Sequence, residues 1–138
     1  MASAPPAHAY RIPLHIAPSD IDELGHVNNV VYLRWVQGAS AAHWSVLADE
    51  QVRKDNVWVV LRHEIDYAAP ALPGDELHAL TWVGETEGVR SVRYVNIYNG
   101  KDKLLAAART TWCLLDARSG RPKRVEGILL SQLTDPGS

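Results

Sequence analysis

The chain has 138 residues, a length that suits one folded domain, and we predict a single domain over residues 1–138 with loose ends at 1–7 and 134–138. Hydrophobic residues make up 46% of the chain and charged residues 22%, which is typical of a soluble globular protein. The net charge of −2 indicates neither a nucleic-acid partner nor an anionic membrane.

The first predicted element is a strand at residues 8–16, where apolar side chains recur at every second position from Tyr10 to Ile16. Pro13 lies inside this strand. Because proline has no amide hydrogen to donate to a neighbouring strand, it indicates an edge strand or a local break. Residues 17–27 then form a polar loop.

A long helix is predicted over residues 29–48, because apolar side chains recur there at spacings of three and four. Asn28 or Asn29 suits its N-cap, since a short side-chain oxygen can accept a hydrogen bond from a free amide of the first turn. The centre of the helix, residues 38–42, contains only glycine, alanine and serine, which indicates that a curved sheet packs very close to its backbone. The alternative is an amphipathic helix that lies on a flat sheet.

Strands dominate the rest of the chain, after a charged connector at residues 49–56. The segments rich in β-forming residues are 57–68, 76–85, 89–98 and 104–116. Short turn signals separate the last three segments, so we expect an antiparallel meander. A turn follows at 117–122, and residues 124–133 form a short helix or an irregular strap. One long helix followed by a meander is an α+β arrangement.

The polar loop carries the string D-x-D-x-x-G-H-V-N-N-x-x-Y from Asp20 to Tyr32. This string resembles the signature loop of the hotdog-fold acyl-CoA thioesterases of the 4-hydroxybenzoyl-CoA thioesterase type. Segments that fit the same order follow at residues 64–67 with Pro70, at 73–75, and at 114–116 with 120–122. The resemblance spans roughly residues 10 to 130. It implies a hotdog fold, in which an antiparallel sheet of about five strands wraps around one long helix.

The resemblance implies a hydrolase that cleaves acyl-CoA or acyl-carrier-protein thioesters to the free acid and the thiol without a cofactor. Asp22, the second Asp of the motif, matches the catalytic carboxylate of this family. It would act as a nucleophile on the thioester carbonyl or as a general base on water. The alternative for Asp22 is a structural cap on a turn or on the helix. Asp20 follows Pro18 and Ser19, and we expect it to close a turn.

The motif also implies an oxyanion hole at the helix start, where the backbone amide of Asn29, with that of Val30 as a second donor, would bind the thioester carbonyl. His26 either donates to this carbonyl and orients the catalytic carboxylate and water, or only braces the loop. We assign Asn28 and Tyr32 to the substrate pocket, although each also suits a structural role, as a cap and as a core residue.

Coenzyme A carries phosphates, so we expect cationic side chains near the mouth of the site. The candidates are Arg62, Arg90, Arg93, Arg118, Arg121, Lys123 and Arg124. The densest group lies at residues 118–124. From this set we predict that Arg62, Arg118, Arg121 and Lys123 contact the substrate.

The resemblance further implies a homodimer or a homotetramer built as a dimer of dimers, because in this family the strand after the helix is an edge strand that pairs with its two-fold mate. Two other functions stay open. One is a hotdog hydratase or dehydratase, which uses a histidine and an acid in a different motif. The other is a non-catalytic protein that binds acyl thioesters.

Neither a metal site nor export is indicated by the sequence. The six histidines show no ligand spacing, and we expect Cys113 to be a buried thiol. A single cysteine cannot form an internal disulfide, and residues 1–7 lack the basic and apolar parts of a signal peptide. No run of residues is apolar and long enough to span a bilayer. We therefore predict a cytoplasmic protein with no membrane span.

Overall fold

The computed structural model describes residues 3–134. Its strands are β1 Tyr10–Leu14, β2 Asn56–Tyr67, β3 Leu77–Glu87, β4 Arg90–Asn99 and β5 Leu104–Asp116. Its helices are α1 Asn29–Leu47, α2 Glu50–Asp55 and α3 Gly127–Thr134. A 3-10 turn, Pro18–Asp20, lies in the loop between β1 and α1.

The five strands form one antiparallel sheet in the order β1-β3-β4-β5-β2. Short turns at residues 88–89 and 100–103 join β3 to β4 and β4 to β5, so the predicted meander is confirmed. The strand after the long helix, β2, lies at one edge, as the resemblance implies. The opposite edge is β1, which contains Pro13.

The hydrophobic core lies between α1 and the inner face of the sheet. Tyr32, Val36 and Ala39 of α1 pack there with Val95 and Ile97 of β4, and each of these side chains is at most 2% exposed. Removing so much apolar surface from water is the main driving force for this packing. The sheet encloses the buried side of the helix, so the predicted α+β hotdog arrangement is confirmed.

The prediction that residues 49–56 are only a charged connector is wrong, because residues 50–55 form the short helix α2 and Asn56 already belongs to β2. Asp49 caps this helix, since its Oδ1 accepts a hydrogen bond from the Val52 amide at 2.8 Å. Arg53 and Lys54 lie in the last turn, where the helix dipole favours positive charge. Capping and charge placement thus define a helix too short to show an apolar stripe.

The expectation that the sheet packs against the glycine of α1 is also wrong. A Cβ atom placed on Gly38 would meet no other atom within 4 Å, and both Gly38 and Ala41 are exposed. Only the neighbouring Ala39 and Ser40 are buried. The small side chains of Ser40 and Ala41 border a cavity beside the helix instead.

The ends of the described chain differ slightly from the prediction. β1 is shorter than expected, whereas the C-terminal segment forms the helix α3 and buries Leu129 and Leu133. Of the predicted loose ends, residues 1, 2 and 135–138 lie outside the described residues. From residue 3 to residue 134, the chain has no helix with both the length and the apolar character needed to cross a membrane.

Candidate active site

Asp20 anchors the polar loop to the long helix. Its carboxylate is 3% exposed and accepts hydrogen bonds from the Ala17 amide and from Arg34 Nη2, both at 2.9 Å. The Asp20 carbonyl oxygen accepts a further bond from the Asn28 amide at 2.8 Å. The Ala17 amide and the Arg34 guanidinium hold the pKa of Asp20 below its usual range, although burial acts in the opposite direction. Asp20 therefore has the structural role that we expected, with an ion pair in addition.

Asp22 begins a tight hairpin that ends at His26. The Asp22 amide donates to the His26 carbonyl at 2.8 Å, and Gly25, with a φ of +77°, turns the chain between them. Oδ1 of Asp22 accepts hydrogen bonds from the amides of Leu24 at 2.9 Å and His26 at 3.4 Å. Its Oδ2 receives no donor from the described residues. The loop thus fixes one carboxylate oxygen and leaves the other available for chemistry.

The long helix begins directly after this hairpin. Asn28 is its N-cap, because Asn28 Oδ1 accepts a hydrogen bond from the Val30 amide at 3.0 Å. That bond occupies one of the two amides expected in the oxyanion hole. The Asn29 amide, in contrast, has no acceptor in the described part of the chain. A ligand oxygen would therefore find its free donor at Asn29.

Two tyrosines form the wall opposite the loop. Tyr32 of α1 accepts a hydrogen bond from the Ala71 amide at 3.0 Å through its hydroxyl oxygen. Its ring meets that of Tyr67 edge to face, with the ring centroids 5.3 Å apart. Tyr67, at the end of β2, donates from its hydroxyl to the Asn29 carbonyl at 3.2 Å. Burial raises the pKa of Tyr32, so its hydroxyl stays neutral at ordinary pH.

An open cleft of about 450 Å³, which we call the loop cleft, lies between the hairpin and this wall. It brings together five of the predicted site residues, which are Asp22, His26, Asn28, Asn29 and Tyr32. The cleft therefore combines a carboxylate, an imidazole and a free helix-start amide.

The far side of the loop cleft was not recognised from the sequence. Tyr67 and residues 68–70 line it, at the end of β2 and in the connection that follows. The signal was present, because residues 64–67 with Pro70 belong to the pattern that carries the resemblance. That pattern gave the order of the segments along the chain without showing that Tyr67 faces the helix start.

The predicted cationic residues do not line the loop cleft of the described chain. Arg62 is exposed on β2, while Arg118, Arg121 and Lys123 follow the end of β5, beside the start of β2. β2 has 12 residues, so its start and Tyr67 at its end are roughly 35 Å apart. Within one chain, the cationic turn at 118–124 and the loop cleft therefore lie at opposite ends of the same strand.

The two edge strands of the sheet differ in their capacity to bind another strand. β1 has only 5 residues and contains Pro13. β2 is more than twice as long and exposes apolar side chains at Val57, Leu61 and Tyr67, which are 46%, 49% and 45% exposed. A long apolar edge with unpaired backbone groups readily adds a strand. β2 is therefore the edge suited to an interface.

Comparison with known proteins gives one family and one fold. The sequence matches the family described as the thioesterase-like superfamily over residues 16–133. A protein from Pseudomonas aeruginosa shares 22% identity and a TM-score of 0.80, over 94% of this chain and 92% of that one. A thioesterase from Thermus thermophilus, determined with coenzyme A and zinc, shares 22% identity and a TM-score of 0.80 over 91% of each chain.

A further similar structure is that of a 1,4-dihydroxy-2-naphthoyl-CoA thioesterase from Synechocystis. It shares 19% identity and a TM-score of 0.79, over 92% of this chain and 96% of that one. Among curated proteins, none matches the chain in sequence. At these identities the solved structures establish the fold, while the family match covers nearly the whole chain.

Proposed function

Since the chain belongs to the thioesterase-like superfamily and is a thioester hydrolase, we propose that its substrates are acyl-CoA thioesters and that they react in the loop cleft. The observation that carries this proposal is the presence of the Asp22 carboxylate and the free Asn29 amide in one cleft. The first supplies a nucleophile or a base, and the second an oxyanion donor. Coenzyme A in the structure from Thermus thermophilus supports this class of substrate.

Asp22 can act by two routes, both through its free Oδ2. In the first, Oδ2 attacks the thioester carbonyl carbon, the C–S bond breaks, and the thiolate of coenzyme A leaves, which forms a mixed anhydride that water then hydrolyses. In the second, Oδ2 takes a proton from water as the water oxygen attacks the same carbon, the C–S bond then breaks, and the proton passes to the leaving thiolate. Either route yields the free acid and the thiol of coenzyme A and restores the Asp22 carboxylate.

The carbonyl oxygen gains negative charge along both routes. The Asn29 amide lies at the N-terminus of α1, where the helix dipole favours an anion. One preorganised donor of this kind typically contributes about 10²–10³ in rate. His26 lines the same cleft, and we assign its imidazole to the carbonyl oxygen or to the attacking water.

We further propose a homodimer in which the β2 edges of two chains pair across a two-fold axis. This pairing is antiparallel, so the start of one β2 lies beside the end of the other. The turn at 118–124 of one chain would then approach the loop cleft of its partner. Arg118, Arg121 and Lys123 would hold the phosphates of coenzyme A in that assembly.

A panel of aromatic and aliphatic acyl-CoAs tests the proposal, with thiol release followed by a chromogenic thiol reagent. We expect at least one substrate with a kcat/KM of about 10⁴ M⁻¹s⁻¹ or more. A hydratase or dehydratase would change the double-bond content of the acyl chain without thiol release. A binding protein would hold acyl-CoA and release no thiol. Either result would contradict the proposed hydrolysis.

A further inference from the structure

A second cavity, which we call the tryptophan cavity, lies between α1 and the inner face of the sheet. Its volume is about 340 Å³, and among the described residues it shares no lining side chain with the loop cleft. Trp44 of α1, Trp58 of β2 and Trp112 of β5 provide most of its apolar wall. Arg93 of β4 brings one cationic group to this wall. The sequence had suggested Arg93 only as one of seven candidate cationic side chains near the mouth of the site.

The Arg93 side chain is buried, and none of the described residues gives it an acidic partner. It is 6% exposed, and its Nη1 donates to His43 Nδ1 at 2.8 Å and to Thr81 Oγ1 at 3.1 Å. Thr81 is uncharged. Burial, and to a smaller extent the charge of Arg93, lowers the pKa of His43 to about 4, so His43 is neutral at pH 7. Within residues 3–134, no carboxylate pairs with Arg93, and its Nε and Nη2 have no acceptor.

A buried charge without a counter-ion is costly, and proteins normally pair such a group. Burial lowers the pKa of Arg93 to about 10, which still leaves the guanidinium charged at neutral pH. Two adjacent donors, Nε and Nη2, match the two oxygens of a carboxylate. The charge and the donor geometry of Arg93 therefore both favour a carboxylate ligand.

The two serine hydroxyls of the wall already have partners. Ser40 Oγ donates to the Val36 carbonyl at 2.8 Å, and Ser91 Oγ shares a hydrogen bond of 2.8 Å with Thr86 Oγ1. Trp112 Nε1 is buried and has no partner among the described residues, so it is a second, neutral donor of this wall. Arg93 provides the charged donors for the polar end of a ligand, while the indole rings provide flat apolar contact for its body. The volume lies at the lower end of the range of small-molecule pockets, which suits a ligand of one or two rings.

We propose that the tryptophan cavity binds a small organic carboxylate with a planar apolar body, held by Arg93 through Nε and Nη2. Such a carboxylate has two sources, a free aromatic acid or the far end of an aromatic acyl thioester. The second source rests on the proposed function and on the pairing of β2 edges. That pairing would bring Trp58, near the start of one β2, close to Tyr67 at the end of its partner.

Benzoate and 2-naphthoate are the probes, and their binding to the full chain is measured by tryptophan fluorescence and calorimetry. Arg93→Met should weaken benzoate binding by about tenfold or more, because it removes a charged pair of hydrogen bonds. Arg90→Met is the matched control, since Arg90 is exposed on the same strand, and it should stay within about twofold of wild type. Benzyl alcohol, which has the ring without the charge, should bind the three proteins about equally.

A second variant keeps Arg93 in place and fills the space instead. Ala41 is exposed and lines the cavity, so Ala41→Leu should preserve the fold and block benzoate. The proposal is overturned if wild type shows no saturable benzoate or naphthoate binding below about 10 mM. It is also overturned if Arg93→Met, or Ala41→Leu with the wild-type melting temperature, binds benzoate as wild type does.

Hydrolysis of benzoyl-CoA and 4-carboxybenzoyl-CoA separates the two sources. If the carboxylate belongs to the acyl group, wild type should prefer the carboxylated thioester, and Arg93→Met should reduce that preference in kcat/KM by about tenfold. If it belongs to a free acid, benzoate should still bind and the preference should not depend on Arg93. Failure of the proposed function would appear as benzoate binding without hydrolysis, and failure of the cavity proposal as hydrolysis without benzoate binding.

Discussion

The loop cleft and the tryptophan cavity differ in how the chain forms them. Most of the loop cleft comes from one continuous segment, residues 22–32, whose polar groups are held by neighbouring amides. The tryptophan cavity collects side chains from α1, β2, β4, β5 and α3, and its cation is held by neutral partners from two distant elements. A site in one segment can be recognised as a motif, whereas a site spread over five elements exists only after folding.

The largest effect is expected from Asp22→Asn, which tests whether the loop cleft is the catalytic one. The amide oxygen of Asn can still accept the bonds from Leu24 and His26 that Asp22 Oδ1 accepts. It offers neither a nucleophile nor a base at neutral pH. We therefore expect kcat to fall by about 10²–10⁴ with little change in the melting temperature. Thiol release and thermal denaturation measure the two quantities.

Glu23→Gln is the control for this substitution, because Glu23 is the exposed neighbour of Asp22 and undergoes the same change from acid to amide. It should keep the activity of wild type. If Asp22→Asn hydrolyses a good substrate within a few-fold of wild type, Asp22 has only its structural role and the catalytic assignment of the loop cleft is wrong.

The next effect concerns the tryptophan cavity and the pH dependence of stability. Burial, the charge of Arg93 and that of His8 lower the pKa of His43 from 6.5 to about 4. Between these values an unfolded His43 binds a proton that the folded chain excludes, so stability is lost as the pH falls from 6.5 towards 4. This single group should account for about 2–3 kcal/mol.

Thermal denaturation at pH 7.0 and pH 4.5 measures this loss in wild type and in His43→Gln. A glutamine oxygen can still accept from Arg93 but does not titrate, so the variant should lose less stability between the two pH values. His63 and His78 also have lowered pKa values and act in the same direction, which is why the difference between the proteins is the informative quantity. His15→Gln, at an exposed position, should behave as wild type. Equal losses in wild type and His43→Gln would show that His43 is not held neutral.

A smaller effect is expected from Asn28→Ala, which tests whether capping fixes the helix start of the loop cleft. The substitution removes the bond from the Val30 amide to Asn28 Oδ1. It should lower the free energy of unfolding by about 1 kcal/mol, as measured in urea. Asn28→Asp retains a capping oxygen and should recover most of the loss. A loss of the same size in both variants would assign the role of Asn28 to something other than capping.

The features that could be predicted from the sequence are those that neighbouring residues form, as in the loop cleft. α1 and the meander were predictable, because periodic apolar residues and turn signals act over short distances. The position of β2 at the edge was implied only by the family resemblance. Asp22, His26 and Asn29 could be brought to one cleft because the loop enters the helix directly. The part played by Tyr67 and the burial of Arg93 could not be predicted. The first depends on the pairing of β2 with β5, and the second on the packing of His43 of α1 against β4, and both join segments far apart in the chain. α2 was missed because six residues are too few for a periodic pattern.

The smallest effect tests whether the cationic turn at 118–124 and the loop cleft belong to one assembled site. If the β2 edges pair, the turn at 118–124 of one chain approaches the loop cleft of the other. Arg121→Ala with Lys123→Ala should then raise KM for acyl-CoA by about threefold to tenfold and leave kcat nearly unchanged, because contacts remote from the reacting carbonyl act mainly on binding. The rise should shrink at high salt, since exposed charges are screened. The control is Arg53→Ala with Lys54→Ala, which removes the same charge from exposed positions on α2. An unchanged KM at low salt would show that the cationic turn does not contact the substrate of the loop cleft. The proposed β2 pairing, which joins the two ends of the strand in one site, would then be wrong.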